Sequence, residues 1–243
     1  DANDYALGQK HNLEVIDILN EDGSLNEKAQ LYIGKDRFEV RKQIAKDLEE
    51  AGHIPKIEDY QNQVGRSERT QAIIEPRLSL QWFVDMKKFV EKNPQVVSDV
   101  MEDKIKFHPP KFKNTYKHWM DNIRDWCISR QLWWGQRIPA WYNADGEYVV
   151  CKTEAEAKKA FEAKGVSTNG IKQEEDVVDT WFSSWLWPLE VFGWNKDKNN
   201  KELDYYYPTN DIVTGPDILF FWIARMIMAG YEYRNERPFN NVY

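Results

Sequence analysis

The short pattern Gly215-Pro216-Asp217 separates a strand-like run, Asp211-Ile212-Val213-Thr214, from a long apolar stretch between Ile218 and Gly230. A glycine between a strand and a helix lets the backbone approach a ligand, and the amino end of a helix favours anionic groups. A carboxylate placed there can accept hydrogen bonds from ribose hydroxyls, as acidic side chains do at nucleotide sites on sheet ends. Plain helix capping by Asp217 is the competing reading. Ile218 and Trp222 lie four residues apart and share a helical face, so with Trp181 they can wall a small apolar pocket. Core packing uses the same spacing.

A second constellation spans Lys104 to Arg137. Eight cations, Lys104, Lys106, Lys111, Lys113, Lys117, Arg124, Arg130 and Arg137, face only Asp121 and Asp125, a local charge of +6 in a chain of net charge −7. Phe107, Phe112, Tyr116, Trp119, Trp126, Trp133 and Trp134 are interleaved with them, a mixture suited to following phosphates while stacking on unpaired bases. An aromatic core under a solvated lysine face would produce the same pattern. Near the start, Asp1 and Asp4 can act as paired carboxylates at one ligand, or simply be solvated. His11, His53, His108 and His118 are not spaced as metal ligands, and Cys127 and Cys151 each lack a near partner, so no metal site is expected. No nucleophile elbow of the Gly-x-Ser-x-Gly kind and no phosphate loop ending in Lys-Ser/Thr occurs, which removes those hydrolase and nucleotide-hydrolysing classes.

The elements that must hold these residues can be read from patterning. The chain has 243 residues and 42% hydrophobic content, enough for one large domain or two small ones. Alternation predicts a strand over Leu13 to Ile18 and a turn at Asn20-Glu21-Asp22-Gly23. Asp36 is placed to cap a helix that Gly52 stops. Residues 61–70 are almost without apolar side chains and mark a boundary. A helix through Met86, Phe89 and Val90 ends before Pro94; a hairpin is expected around Asn143 to Glu147, and a helix from Thr153 to Ala163. The tail reads as strand, helix and strand: Asp211 to Thr214, then Ile218 to Gly230, then Asn240 to Tyr243, which implies a parallel sheet. Two cysteines fit a reducing, cytoplasmic setting, and the run Ile218 to Met228 is too short and too interrupted, by Arg225, to cross a bilayer. Ten of the eleven tryptophans lie beyond residue 118, so the two halves differ in composition.

Six segments together resemble the valyl-tRNA synthetases, a family of class I aminoacyl-tRNA synthetases. They are Asp1 to Leu13, Asp36 to Lys42, Ile74 to Val84, Trp119 to Gly135, Asp179 to Pro188 and Val213 to Trp222. The most specific are Trp126-Cys127-Ile128-Ser129-Arg130-Gln131-Leu132-Trp133-Trp134-Gly135 and Asp179-Thr180-Trp181-Phe182-Ser183-Ser184-Trp185-Leu186-Trp187-Pro188. The resemblance implies an α/β fold: part of a Rossmann-type parallel-sheet catalytic domain preceded by the C-terminal part of an α+β editing domain. It places the editing part at residues 1–62, a connecting segment and helix at 63–103, and the second part of the catalytic domain at 104–243. The His-Ile-Gly-His motif is expected upstream and the Lys-Met-Ser-Lys-Ser loop downstream, so an isolated internal fragment is expected to be inactive.

The activity so implied is activation of valine with ATP and transfer to tRNA(Val), with hydrolytic editing of mischarged threonine. Trp181, Ile218 and Trp222 are then similar to the wall of the valine pocket, and Thr214, Gly215 and Asp217 to the turn that holds ATP or the adenylate. Arg130, Gln131 and Trp134 would flank the tRNA acceptor end, with Trp126 and Trp133 on the same side and Trp82 and Trp119 in the core. Asp4, supported by Asp1, would bind the ammonium group of a misattached amino acid. ATP with Mg is expected as a substrate complex, without zinc, in a monomeric cytoplasmic parent with no membrane contact. Two departures from the family are visible. Cysteine pairs that some members carry are missing at Val64 to Thr70 and at Tyr142 to Cys151. Ile218 and Leu219, by contrast, stand where the related isoleucyl enzymes typically have Gln and His, which favours resemblance to the valyl over the isoleucyl enzymes. A non-catalytic fragment that binds the acceptor end or serves structurally is the alternative.

Overall fold

The computed structural model describes residues 2–68, 70–196 and 199–243. The chain forms two compact units that divide between Leu80 and Gln81. The break therefore differs from the boundaries expected at 62/63 and 103/104. Residues 73–77 are bound into the first unit by polar contacts: Glu75 accepts Arg37 and Arg41, and Arg77 bonds Asp17.

In the first unit the helices are Ala2–His11 and Arg37–Glu50. The second begins where the sequence placed it, with the Asp36 carboxylate accepting the Phe38 N–H at 2.8 Å. Glycine at 52, with φ +75°, turns the chain out of it. The turn at Asn20–Gly23 also forms, closed by Gly23 N–H to the Asn20 carbonyl at 3.1 Å. The strand expected over Leu13 to Ile18 does not. Its alternation is real, but among the described residues no strand pairs with it, and the bridge Leu19↔Leu25 falls just beyond its end. Backbone pairing, which the residue pattern alone cannot supply, decides whether an extended run becomes a strand.

The second unit is mixed α/β. Its three-stranded sheet places Phe239–Val242 between Lys106–Phe107 and Thr209–Ile212, all parallel, with Asn241 opposite Lys106 and Asp211. The last strand-helix-strand passage thus folds as its pattern predicts. The strand at 209–212 starts two residues earlier than expected, but the Thr214 N–H still bonds the Tyr243 carbonyl at 2.8 Å. Helices Gln95–Met101 and Lys111–Asp121 and the Leu219–Arg234 rod pack on this sheet. Met86, Val96, Ile105, Tyr116, Ile223, Met226 and Phe239 form the centre of the resulting core. Gly230 lets the rod approach the chain that follows it, since a Cβ there would sit 2.7 Å from both the Glu236 carbonyl and the Tyr207 hydroxyl.

A smaller antiparallel sheet has Ala140–Tyr142 between Tyr148–Val150 and Lys172–Gln173. Its turn is fastened by Asn143, whose side-chain oxygen accepts Asp145 N at 3.1 Å and Glu147 N at 2.9 Å. Helix Glu154–Lys164, capped by Thr153 and ended by Gly165 at φ +71°, adds Ala157 and Phe161 to a separate core with Val149. The helix Lys201–Tyr206 buries Leu203 against Leu189 and Tyr207.

Candidate functional site

The principal site of the second unit is the junction of three short pieces. Strand Ser129–Arg130 pairs antiparallel with Val177–Val178. Helix Thr180–Ser184 follows directly, because the Asp179 carboxylate accepts the Trp181 N–H at 2.9 Å and stops the strand there. The third piece is the start of the apolar rod, a 3₁₀ turn at Pro216–Ile218 that widens into a π-helical turn over Leu219–Ala224.

That widening changes how the expected pocket residues are presented. Trp181 stacks on Phe221, ring centroids 6.2 Å apart at 22°. The Trp222 indole N–H donates to the Ser184 carbonyl at 3.2 Å. Trp181 and Trp222 are therefore brought to one junction. Ile218 stands half-buried before the π turn, so its face relation to Trp222 is not the α-helical one that four-residue spacing assumes. The Ser184 hydroxyl oxygen, also at this junction, is buried and has no hydrogen-bond partner among the described residues. Buried hydroxyls are nearly always satisfied, so this one marks a place with unspent bonding capacity.

Gly215 has ordinary extended geometry, so it is not needed for a left-handed turn. It is needed for room: a Cβ would lie 2.5 Å from Asp217 Oδ1. The glycine thus lets the Asp217 carboxylate fold back against the backbone at residue 215. Asp217 is exposed and its side chain has no partner among the described residues, so it does not make the capping bond offered as its simpler role. The Thr214 hydroxyl donates to the Gly215 carbonyl at 3.4 Å.

Along the other strand, the Arg130 guanidinium is engaged by Asp179 and by the carbonyls of Cys127 and Ser129 at 2.9 and 2.8 Å. Gln131 donates to Gln81 and Asp176 at 3.0 and 2.6 Å. Trp133 and Trp134 are 98% and 84% exposed. Gly135 makes their loop possible, because a Cβ would meet Val177 at 2.8 Å. Trp126, expected on that same side, is instead only 9% exposed. It packs edge-on to Phe182 and Trp185 and carries the Arg225 guanidinium 4.2 Å over its ring. Arg225 is 4% exposed, and burial pushes its pKa down to about 10, against the opposing pull of Asp179 and Tyr116. A cavity of about 440 Å³ lined by Trp119, Arg124, Trp126, Phe220 and Arg225 adjoins this cluster. Trp82 and Trp119 pack against the core, as expected.

Folding partly compensates the local charge of +6. Lys104 bridges Asp99 and Glu102, Lys113 bridges Asp103, Lys117 bridges Asp121, and Arg137 donates to the Gln173 and Glu174 carbonyls. Three of the carboxylates that compensate it, Asp99, Glu102 and Asp103, lie just before the window, and a fourth, Asp179, lies far after it. A charge count along the chain could not include them.

In the first unit Asp4 lines a cavity of about 770 Å³ together with Tyr5, Gln9, Leu13, Val15, Ile16, Arg77 and Leu78. Asp1 lies outside the described residues. The Asp17 carboxyl sits below its ordinary range, chiefly because the Arg77 side chain donates to it. Among the described residues no three His, Cys, Asp or Glu side chains gather as a metal-holding group, and no helix is long and apolar enough to cross a membrane.

Residues 10–243 match the family of class I tRNA synthetases (I, L, M and V), and the chain belongs to that family. Its whole length is 57% identical to valine-tRNA ligase of Parabacteroides distasonis, of which it covers 28%. The valine-tRNA ligase of Porphyromonas gingivalis is likewise 57% identical with 28% covered, and that of Chlorobaculum tepidum 48% identical with 26% covered. The chain thus spans little more than a quarter of the length of these relatives.

Proposed function

We propose that this chain is part of an aminoacyl-tRNA synthetase that activates valine and transfers it to tRNA(Val). On this reading the second unit is part of a Rossmann-type catalytic domain and the first is the end of an editing domain. The observation that carries it is the pairing of two features at one sheet end. Gly215 clears space for an exposed Asp217 carboxylate without a partner among the described residues, just after a parallel strand, and Trp181, on helix Thr180–Ser184, is brought to one junction with Trp222 on the helix that follows. Likeness over the full chain to valine-tRNA ligases supports the choice of amino acid.

In the reaction, the valine carboxylate attacks the α-phosphorus of ATP and displaces pyrophosphate. The terminal adenosine 2′-hydroxyl of the tRNA then attacks the valyl carbonyl and releases AMP. Trp181, Ile218 and Trp222 hold the side chain. Thr214, Gly215 and Asp217 hold the adenosine, with Asp217 accepting from ribose hydroxyls. ATP brings its Mg as substrate. Protein groups act here by positioning and charge stabilisation more than by covalent chemistry. The exposed Trp133 and Trp134, with Arg130 and Gln131 behind them, suit stacking of unpaired acceptor-end bases. An apolar pocket of valine size cannot strongly reject threonine, a limit for which the valyl enzymes are themselves the standard illustration. On this reading Asp4, which lines a cavity of the first unit, takes the ammonium group of the wrong product.

The test is valine-dependent pyrophosphate exchange by the full-length protein that carries this segment. Asp217→Ala is expected to raise the KM for ATP about tenfold or more, and Trp222→Ala to raise that for valine. An Asp217→Ala enzyme with unaltered ATP dependence refutes the nucleotide assignment. The isolated 243-residue chain is expected to show no exchange.

A further inference from the structure

Asp179 is 7% exposed, and its two oxygens serve three elements. Oδ1 accepts the Trp181 N–H and caps helix Thr180–Ser184. Oδ2 accepts the Trp126 indole N–H at 3.1 Å and the Arg130 guanidinium. The same indole carries Arg225 on its face. One buried carboxylate therefore answers two guanidiniums, Arg130 directly and Arg225 by way of the ring between them. A serine or threonine would cap the helix as well and at less cost, because burying a charge is unfavourable unless its lone pairs are used. The charge at 179 is explained by the Arg130 and Trp126 bonds, not by the cap.

Resting on the reading that Trp181 walls the amino-acid pocket and that the Arg130 strand flanks the acceptor end, we infer that Asp179 is a positioning residue that locks these two surfaces together. It touches no substrate. Its Oδ1 fixes the start of the helix that presents Trp181, and its Oδ2 fixes the strand that leads to Gln131 and the exposed tryptophans. The two oxygens do different jobs, so substitutions can separate them. Asp179→Ser keeps an acceptor for the Trp181 N–H but does not reach Trp126 or Arg130. Asp179→Asn can cap only by turning its NH2 toward those two donors. Asp179→Ala removes both functions.

The experiment measures the valine KM in pyrophosphate exchange and the tRNA KM in aminoacylation, in the full-length protein that carries this segment. Asp179→Ala is expected to raise the valine KM about five- to tenfold with little change in kcat. Asp179→Ser is expected to restore the valine KM to about the parent value while the tRNA KM stays as high as in Asp179→Ala. An unchanged valine KM in Asp179→Ala, or one that serine does not restore, overturns the inference. Trp181→Ala separates this from failure of the pocket reading. If Trp181→Ala leaves the valine KM alone, the pocket reading falls and the inference with it; if it raises KM while Asp179→Ala does not, only the positioning role is refuted. Should Asp179→Ala fail to fold, the comparison of serine with asparagine decides. A raised valine KM in Asp179→Asn beside a normal one in Asp179→Ser supports the role, and equal values overturn it.

Discussion

The two units hold their sites by different means. Among the described residues the first unit buries only Leu25 and Val40 as hydrophobic side chains, while Leu13, Val15, Ile16, Ile18, Leu31 and Ile33 stay exposed. Its geometry rests on polar fasteners: the Asp36 cap, the Arg37 and Arg41 bonds to Glu75, the Tyr32 bond to Asp47 and the Arg77 bond to Asp17. The second unit has a continuous core running from Met86 to Val242, and its polar bonds sit on top of that core. Such fasteners contribute about 1 kcal/mol or less each, whereas single core side chains contribute about 2–5 kcal/mol. A site built on the first unit is therefore more easily deformed than one built on the second. The chain's large cavity beside Asp4 and the tightly bonded junction at Asp179 are two outcomes of that difference.

The contrast can be broken most directly in the rod that backs the second site. Ile227→Ala, at a fully buried position, is expected to lower stability by about 2–4 kcal/mol. Denaturant unfolding of residues 81–243 should show the midpoint fall; a loss below about 1 kcal/mol would mean that this core relaxes freely. Gly230→Ala comes next, with an expected cost of about 1–3 kcal/mol because the new methyl meets backbone and a tyrosine hydroxyl at 2.7 Å. Its signature is strain, so a smaller effect than this would show that the Glu236 loop yields.

Asp99 tests the polar layer over the same core. Burial pushes its carboxyl up, but the Tyr231 hydroxyl at 2.6 Å and the Lys104 ammonium at 2.9 Å outweigh this and hold it below the ordinary value. A depressed folded-state pKa stabilises above the unfolded value of about 4, and the contribution is lost as pH falls through the lower folded value. Melting temperature followed from pH 7 into the acid range should fall less steeply in Asp99→Asn than in the parent, and the substitution should cost about 1–3 kcal/mol at neutral pH. Parallel curves would show that Asp99 is not what acid titrates. The smallest effects belong to the first unit. Asp36→Ala should remove about 1 kcal/mol of helix stability and Arg77→Ala less than about 1 kcal/mol, both read as lost helicity or melting temperature in residues 1–80. A cost for Arg77→Ala as large as that for Ile227→Ala would abolish the distinction between the units.

Local chemistry was legible wherever one residue type acts on its own backbone. Asp36 and Thr153 cap the helices they were expected to start, Gly52 follows the helix it was expected to stop, and the Asn143 turn closes its hairpin. The parallel pairing of the last two strands followed from their strand-helix-strand spacing. Less was legible where partners come from far along the chain. Leu13 to Ile18 alternates like a strand but has no paired strand among the described residues, and Trp126 resembled its exposed neighbours Trp133 and Trp134 until packing buried it.

The sequence by itself determined the family, the caps and turns, and the close spacing of Gly215 and Asp217, because these depend on residue identity over a few positions. Tertiary structure alone decided that Lys104 and Lys113 would be paired with carboxylates outside their window, that the helix after Ile218 would open into a π turn, and that Asp179 would join Trp126, Arg130 and Trp181. The reason is physical: charge compensation and burial depend on distance in space, and residues 126 and 179 become neighbours only when the core between them closes.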